Sequence, residues 1–264
     1  MYLTPSYTIQ FPEIKSTIVN FYNNIYDHEK LIKNRFDIQN KFIENFVPWL
    51  NKGHIKFKGL ENFKHVYITN GISESITLSM LEHSLRPVVN VNEYPGYMCQ
   101  AKEFFKSDIS LKNKTNFLSL PFYNTADEHE NTKNILTKNS FIDLAWAGGS
   151  GVKQTYDLSK VGYVAFSFSK MYGIQYHRVG ILFSKKRIGT FEMYKKEAYV
   201  NLAGISLSEK LMQFEPNYFY DKYRNVADNI CERLDLQKTK SLWFGIKDNK
   251  KVPLLNEWLN EKIK

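Results

Sequence analysis

The sequence predicts an α/β fold of three layers, in which a mostly parallel sheet is covered by helices on both faces. Short apolar segments alternate with amphipathic ones over residues 65–185, which is typical of parallel strands joined by helices. The chain has 264 residues, 43% of them hydrophobic, enough for one large domain with a small appendage. We therefore predict an N-terminal helical segment (1–50), a large sheet domain (51–190) and a reduced, partly helical C-terminal domain (191–264).

The individual elements follow from apolar periodicity and turn residues. Residues 13–50 carry large apolar side chains at helical spacing, and Pro48 and the Asn51-Lys52-Gly53 turn end this helical region. Strands of the sheet are predicted at 65–69, 88–91, 117–120, 141–145, 162–166 and 179–183. Helices are predicted at 73–84, from the Pro95 turn to Phe105, and within 186–235. A strand candidate at 242–246 and a helix at 254–263 complete the chain.

Composition excludes several classes of function. The net charge is +9, but the basic residues are scattered and form no nucleic-acid-binding motif, so a lysine-rich surface that attracts anionic substrates is favoured. The two cysteines and six histidines show no disulfide or metal spacing, which predicts a reducing, cytoplasmic setting and no metal site. Residues 1–5 do not resemble a signal peptide, and no apolar stretch is long enough to span a bilayer.

One segment joins a strand to groups that react with carbonyls and bind phosphate. The strand at 162–166 runs directly into Ser167, and Ser169, Lys170 and Arg178 follow. A lysine that loses its proton attacks carbonyl carbons, and the planar fork of an arginine binds phosphate. Because α/β sheets bind ligands at the carboxyl ends of their strands, this pattern indicates pyridoxal phosphate (PLP). The alternative is a buried strand followed by a basic surface loop.

Three other strand ends carry candidate site residues. Asp143 interrupts an apolar strand, where a carboxylate needs a cationic partner unless it only caps a turn. Gly71 and the next two residues, Ile72 and Ser73, stand where a strand turns into a helix, a place that binds anions but is also a common turn. Tyr94 follows the next strand and can cover an aromatic ring, with Tyr97 as the second choice; both could instead pack around an ordinary turn.

Taken together, these residues resemble the fold-type-I PLP-dependent enzymes, in particular the class I/II aminotransferases. The lysine segment has the family pattern, with Ser167, Lys170, Gly173, Arg178 and Gly180 in register. The phosphate turn, aromatic, asparagine (Asn124), aspartate, lysine and arginine occur in family order, each at the end of a predicted strand. The resemblance covers about residues 65–185 and implies the PLP-dependent transferase fold for the large domain.

The resemblance implies a role for each residue of the site. Lys170 would form the internal aldimine and act as general base, and Asp143 would keep the pyridine nitrogen protonated. The remaining cofactor contacts would come from Gly71, Ile72, Ser73, Tyr94, Asn124, Trp146, Ser167, Ser169 and Arg178.

The sequence departs from the family at three places. Trp146 stands where the family has a tyrosine that contacts the ring oxygen; it either partly replaces that tyrosine or simply packs. Asn124, expected near the same oxygen, is followed by Thr125 instead of proline. The family's carboxylate-binding arginine has no counterpart among the three arginines after Arg178.

The resemblance therefore implies an aminotransferase that moves an amino group between an amino acid or amine and a keto acid, in two half-reactions. Another PLP-dependent reaction (decarboxylation, racemisation or elimination) or a non-catalytic protein of the same fold stays open. By resemblance we expect a homodimer, small-molecule substrates, and neither a nucleic-acid nor a membrane partner.

Overall fold

The computed structural model describes residues 10–128 and 136–260, with the backbone alone described at Asn260. Residues 1–5 and the predicted end of the last helix, beyond residue 260, lie outside the described residues. The helices, numbered in chain order, are α1 Pro12–Asn20, α2 His28–Lys33, α3 Arg35–Leu50, α4 Ile72–His83, α5 Gly96–Lys106, α6 Phe168–Tyr172, α7 Gly189–Glu197, α8 Leu202–Leu211, α9 Tyr218–Arg233 and α10 Leu255–Asn260. A π-helical turn, Phe21–Ile25, continues α1, and a 3₁₀ turn lies at Leu60–Asn62.

Ten strands accompany these helices in the described part of the chain. They are β1 Lys56–Lys58, β2 His65–Thr69, β3 Leu85–Val89, β4 Asn113–Ser119, β5 Ser140–Asp143, β6 Thr155–Asp157, β7 Tyr163–Ser167, β8 Gly180–Ser184, β9 Phe244–Lys247 and β10 Lys250–Pro253. Six of them form the central sheet in the order β2-β8-β7-β5-β4-β3. The predicted α/β architecture, with a central sheet between helices, is confirmed.

The sheet is mixed because β8 runs antiparallel to both of its neighbours, whereas the other three pairings are parallel. This agrees with the predicted, mostly parallel sheet; the sequence prediction assigned no direction to the strand at 179–183. The chain turns back after β7, so that Gly180 at the start of β8 lies opposite Ser167 at the end of β7. This reversal brings the residues just before β8 to the edge where the parallel strands end.

Helices cover both faces of the sheet. Along β7, Val164 and Phe166 pack into one hydrophobic cluster, which also holds residues of α1, α3 and α8. Tyr163 and Ala165, on the other face, belong to a second cluster with residues of α4, α5 and α7. This alternation follows from the two-residue period of a strand buried on both faces. The first cluster also contains residues of the C-terminal segment; the division into three parts stays a prediction.

Two features of the sheet and its surroundings differ from the sequence prediction. Strand β3 begins at Leu85, three residues before the predicted start, and contains Pro87. It is an edge strand, where the missing N–H of proline is tolerated. Beside the main sheet, β1 pairs with β6, and β9 pairs with β10 to form a C-terminal hairpin. Across the residues described, no helix is long and apolar enough to cross a membrane.

Candidate cofactor site

The candidate site lies at the edge of the sheet where the parallel strands end. Thr69 of β2 and Ser167 of β7 are both opposite Gly180 of β8, and Ser119 of β4 is opposite Asp143 of β5. Four strands therefore deliver the residues at their ends to a single edge. This is the location at which open α/β sheets bind ligands.

A cavity of about 170 Å³ opens at this edge. Nine of the eleven sequence-predicted site residues line it, from four strand ends and the loops that follow them. These nine are Ile72, Ser73, Tyr94, Asp143, Trp146, Ser167, Ser169, Lys170 and Arg178. The remaining lining residues are Ile76, Ser119, Tyr123 and Ala145.

Lys170 stands on the short helix α6, which begins directly after β7. The Ser167 side chain accepts a hydrogen bond from the Ser169 amide at 3.2 Å and so caps this helix. The Lys170 amine lies 5.4 Å from the centre of the Trp146 ring. Burial lowers the pKa of Lys170, and the nearby Asp143 carboxylate partly opposes that shift. A lysine in this setting is closer to its nucleophilic, uncharged form than one in water.

Asp143 ends β5 and is 5% exposed. One carboxylate oxygen, Oδ1, accepts the Ala145 amide at 2.8 Å, and the other, Oδ2, accepts the Tyr97 hydroxyl at 2.9 Å. Burial raises the pKa of Asp143 to about 6, although both hydrogen bonds and the Lys170 ammonium favour its charged form. The carboxylate is therefore held in one orientation beside the cavity, where a cationic ligand atom would stabilise its charge.

An anion-binding arrangement forms where α4 begins. Gly71 has φ +92°, and a β-carbon at this position would lie 2.8 Å from Nη2 of Arg178. The arginine side chain therefore uses the space that the glycine leaves free. The first N–H groups of α4 have no partner within the helix, and the adjacent hydroxyl of Ser73 is exposed. Amides, hydroxyls and a guanidinium at one end of the cavity are the groups that bind phosphate.

Aromatic side chains enclose another part of the cavity. The rings of Tyr94 and Tyr123 are 5.3 Å apart, and Tyr94 meets Tyr97 edge to face at 5.2 Å. Trp146 is 5% exposed and packs edge to face against Phe244 of the C-terminal hairpin at 5.8 Å. Such flat, apolar walls favour a ring-shaped ligand and limit the access of water.

Two predicted residues do not line the cavity. Gly71 lies behind it, against Arg178. Asn124 is not among the lining residues of the described chain, and the neighbouring Tyr123 takes part instead. Tyr97, the second choice for covering the ring, is fully buried and binds Asp143 from behind.

Sequence reasoning missed Ser119 and Glu93. The Ser119 hydroxyl donates to Oε2 of Glu93 at 2.7 Å, and its amide donates to Oε1 at 3.1 Å. Burial raises the pKa of Glu93 to about 7, with the Ser119 hydrogen bonds opposing the shift. The position of Ser119 at the end of a strand could have identified it as a site residue, because Asp143 and Ser167 were identified from their positions at strand ends.

Comparison with known proteins agrees with this fold. No protein-family model matches the sequence, and no curated protein matches it. The solved L-threonine-O-3-phosphate decarboxylase from Porphyromonas gingivalis is similar in structure, with 11% identity and a TM-score of 0.58 over 89% of this chain and 78% of that chain. The histidinol-phosphate aminotransferase from Sinorhizobium meliloti, solved with pyridoxal 5'-phosphate, has 12% identity and a TM-score of 0.55 over 90% and 71% of the two chains.

A PLP-bound C-S lyase from Staphylococcus hominis is also similar, with 12% identity and a TM-score of 0.52 over 90% of this chain and 72% of that chain. The chain therefore has the fold of fold-type-I PLP-dependent enzymes. At these identities the similarity establishes the fold, whereas the reactions named belong to those proteins.

The residues of the cavity fit the cofactor of that fold. PLP has an aldehyde, a phosphate, and a ring whose nitrogen can be protonated. The site offers a half-buried amine at Lys170, an anion-binding turn beside Arg178, and a buried carboxylate at Asp143. By contrast, no three His, Cys, Asp or Glu side chains within residues 10–128 and 136–260 are grouped to hold a metal ion.

Proposed function

We propose that this chain is a PLP-dependent aminotransferase that moves an amino group between an amino acid or amine and a keto acid. The observation that carries the proposal is the placement of Lys170 and Asp143 on one cavity, with Arg178 at the anion-binding turn. A lysine alone would suit many ligands. A lysine, a buried carboxylate and a phosphate-binding turn together match the three functional groups of PLP.

When bound, PLP would supply an aldehyde that bonds to amines and a ring that takes up electrons from the bond that breaks. Asp143 would hold a proton on the ring nitrogen through one of its oxygens. Arg178, Ser73, Ser167 and Ser169 would bind the phosphate. The Nζ of Lys170 would remove a proton from the substrate carbon next to the amine and return it to another carbon.

The same site supports a second candidate, another PLP-dependent reaction on an amino acid. Similar folds include a decarboxylase and a C-S lyase, and the choice of bond depends on how the substrate is held. Two of the arginines after Arg178 are already paired. Arg224 binds Asp228 and the Thr239 carbonyl, and Arg233 binds Glu257. Neither of these two arginines is therefore assigned to a substrate carboxylate.

We also propose a homodimer located in the cytoplasm. Large apolar side chains are exposed on the N-terminal helices and near Arg178. They are Val19, Tyr22, Ile25, Tyr26, Ile32, Phe36, Tyr176 and Tyr199. Some of them line a groove shared with Arg178, so that a second copy seated there would lie next to the anion-binding turn. Groups of exposed apolar side chains are typical of interaction sites.

The test of the cofactor is the visible spectrum of the purified protein with added PLP. We expect an absorbance band that borohydride reduces, and its loss in Lys170→Ala. Lys160→Ala is the matched control, because Lys160 is exposed and does not line the cavity. A band of equal size in Lys170→Ala, or no band in the wild-type protein, would refute the assignment.

The test of the reaction follows from the same band. An amino-acid donor should bleach it and yield a keto acid in equal amount, and a keto acid should then restore it. Release of carbon dioxide or of a side-chain fragment, with no restoration of the band by keto acids, would instead support the second candidate.

The test of the dimer is analytical ultracentrifugation. The wild-type protein should have the mass of a dimer, and Ile32→Asp should shift the measured mass towards that of the monomer.

A further inference from the structure

Glu93 is a buried acid next to the cavity that has no role in the mechanism above. It stands in the loop between β3 and α5 and is 7% exposed. Its side chain is not among those that line the cavity in the described chain. A carboxylate in such a place costs free energy unless hydrogen-bond donors surround it. The partners of Glu93 therefore indicate what the residue does.

One oxygen of Glu93 completes the hydrogen bonding at the edge of the sheet. The pairing of β3 with β4 ends where Val89 lies opposite Phe117, but β4 continues to Ser119. The Ser119 amide, beyond the last paired residue of β3, donates to Oε1 of Glu93 at 3.1 Å. Buried amides need an acceptor, and here the carboxylate takes the place of a further β3 carbonyl. This bond fixes the loop after β3 against the end of β4.

The other oxygen of Glu93 connects two segments that carry cavity residues. Oε2 accepts the Tyr94 amide at 3.2 Å and the Ser119 hydroxyl at 2.7 Å. Because that hydroxyl gives its single hydrogen to Glu93, its oxygen can only accept, and it accepts the Tyr123 amide at 2.6 Å. Tyr94, Ser119 and Tyr123 all line the cavity. One carboxylate thus joins three lining residues that follow two different strands.

The two tyrosines joined in this way form one wall of the cavity. Their rings lie 5.3 Å apart with an interplanar angle of 55°. The place of the Tyr94 ring also depends on Gly96, because a β-carbon there would collide with that ring. The ring is therefore packed against the first residue of α5, and its backbone is fixed by Glu93. A shift of either loop would change the separation and the angle of the two rings.

A carboxylate, and no amide, can make all of these hydrogen bonds. Three donors point at Glu93, two amides and one hydroxyl, and a carboxylate has two accepting oxygens and no hydrogen. Glutamine has one oxygen, and its NH₂ group would face an amide donor whichever way the side chain is turned. The acidic residue is therefore specific to this arrangement.

We propose that Glu93 is a positioning residue that holds Tyr94 and Tyr123 in the arrangement that accepts the flat ring of a phosphorylated ligand. The phosphate of that ligand would bind at the anion-binding turn beside Arg178. Loss of the Glu93 carboxylate should therefore weaken binding of the ring and leave binding of phosphate unchanged. The inference deepens the proposed function and rests on it for the identity of the ligand.

The first experiment needs no cofactor and tests the positioning alone. The protein is labelled with 3-fluorotyrosine, and the ¹⁹F NMR signals of Tyr94 and Tyr123 are assigned by their loss in Tyr94→Phe and Tyr123→Phe. At about pH 8, above the pKa of about 7 that burial gives Glu93, Glu93→Gln should shift or broaden both signals. Ser119→Ala should change the Tyr123 signal, because the Tyr123 amide loses its acceptor.

Glu103→Gln is the matched control, because Glu103 is exposed on α5 and does not line the cavity; it should change neither signal. Unchanged signals of both tyrosines in Glu93→Gln would overturn the proposal. If Glu93→Gln does not fold, the dispersion of all its tyrosine signals collapses. Ser119→Ala then decides the matter, and an unchanged Tyr123 signal in that variant overturns the proposal.

The second experiment compares two ligands that share a phosphate. Pyridoxine 5'-phosphate has the ring of PLP but no aldehyde, so it binds without a covalent bond to Lys170, and inorganic phosphate has no ring. Their dissociation constants are measured by calorimetry and by ³¹P NMR titration, respectively. Glu93→Gln should weaken binding of pyridoxine phosphate about tenfold, the size of a lost aromatic contact, and binding of inorganic phosphate less than about twofold.

A double variant tests whether Glu93 and Ser119 act through one network. Ser119→Ala alone should weaken binding of pyridoxine phosphate about threefold. Combined with Glu93→Gln, it should cause no further loss, because the hydrogen bond between the two residues is already broken. Losses that multiply would overturn the shared network. An equal loss for both ligands in Glu93→Gln, or no loss for either, would overturn the selective role toward the ring.

Failure of the proposed function gives a different result. If wild-type protein binds pyridoxine phosphate no more tightly than inorganic phosphate, the cavity does not bind the ring and the cofactor assignment fails. The ¹⁹F spectra then still decide whether Glu93 holds the two tyrosines in place.

Discussion

The pH dependence of stability gives a sharp test of the buried carboxylate at the site. Asp143 is held by Tyr97 and the Ala145 amide, and burial raises its pKa to about 6 from an ordinary value of 3.8. Between these two values the unfolded chain has lost the proton while the folded chain still holds it. Stability therefore falls as pH rises through this window and becomes level above it. The difference of about two pKa units corresponds to about 3 kcal/mol.

The perturbation is Asp143→Asn, which removes the titration and keeps the shape of the side chain. The amide oxygen can still accept the Ala145 amide, and its NH₂ group can donate to the Tyr97 hydroxyl. The assay is urea denaturation of cofactor-free protein from pH 4 to pH 7. We expect the wild-type protein to lose about 2.4 kcal/mol more unfolding free energy over this range than Asp143→Asn does, since the loss has already begun at pH 4.

Curves that stay parallel for the two proteins from pH 4 to pH 7 would refute the reasoning. Lys170 provides the control, because its ammonium favours the charged form of Asp143. In a Lys170→Met background the same comparison should show a larger loss that extends to higher pH. If the background makes no difference, the two side chains do not interact as their positions indicate.

Three further variants test other parts of the structure. Tyr97→Phe removes the hydroxyl that binds Asp143, so the fall in stability should extend about one to two pH units higher in the same denaturation series; a fall that ends at the same pH as in the wild-type protein contradicts this. Gly71→Ala should cost about 1–3 kcal/mol in urea denaturation and weaken PLP binding at least tenfold in an absorbance titration, because φ is +92° and the new carbon meets Arg178. Phe46→Ala should cost about 3–5 kcal/mol, because the ring is fully buried; calorimetry showing less than about 1 kcal/mol would exclude that packing.

The sequence located the strands better than it located their directions. The apolar period of β7 and β8 is visible in the sequence, but nothing in β8 itself states that it runs antiparallel. The direction follows from the short connection through Lys170 and Arg178, which returns the chain to the edge it has just left. In the same way, the position of Pro87 within β3 is explained by the place of that strand at the edge of the sheet, which the sequence does not reveal.

The candidate site likewise has features that the sequence predicts and features that it does not. Residues at strand ends, such as Asp143 and Lys170, could be predicted because topology alone brings strand ends together. The hydrogen bond from Tyr97 to Asp143 could not, because it depends on side-chain packing between segments far apart in the chain. Asn124 shows the converse: a position carried over from the family pattern does not line the cavity, whereas its neighbour Tyr123 does. Positions of reactive atoms thus follow from the order of elements, whereas their proton affinities depend on burial that only the folded chain defines.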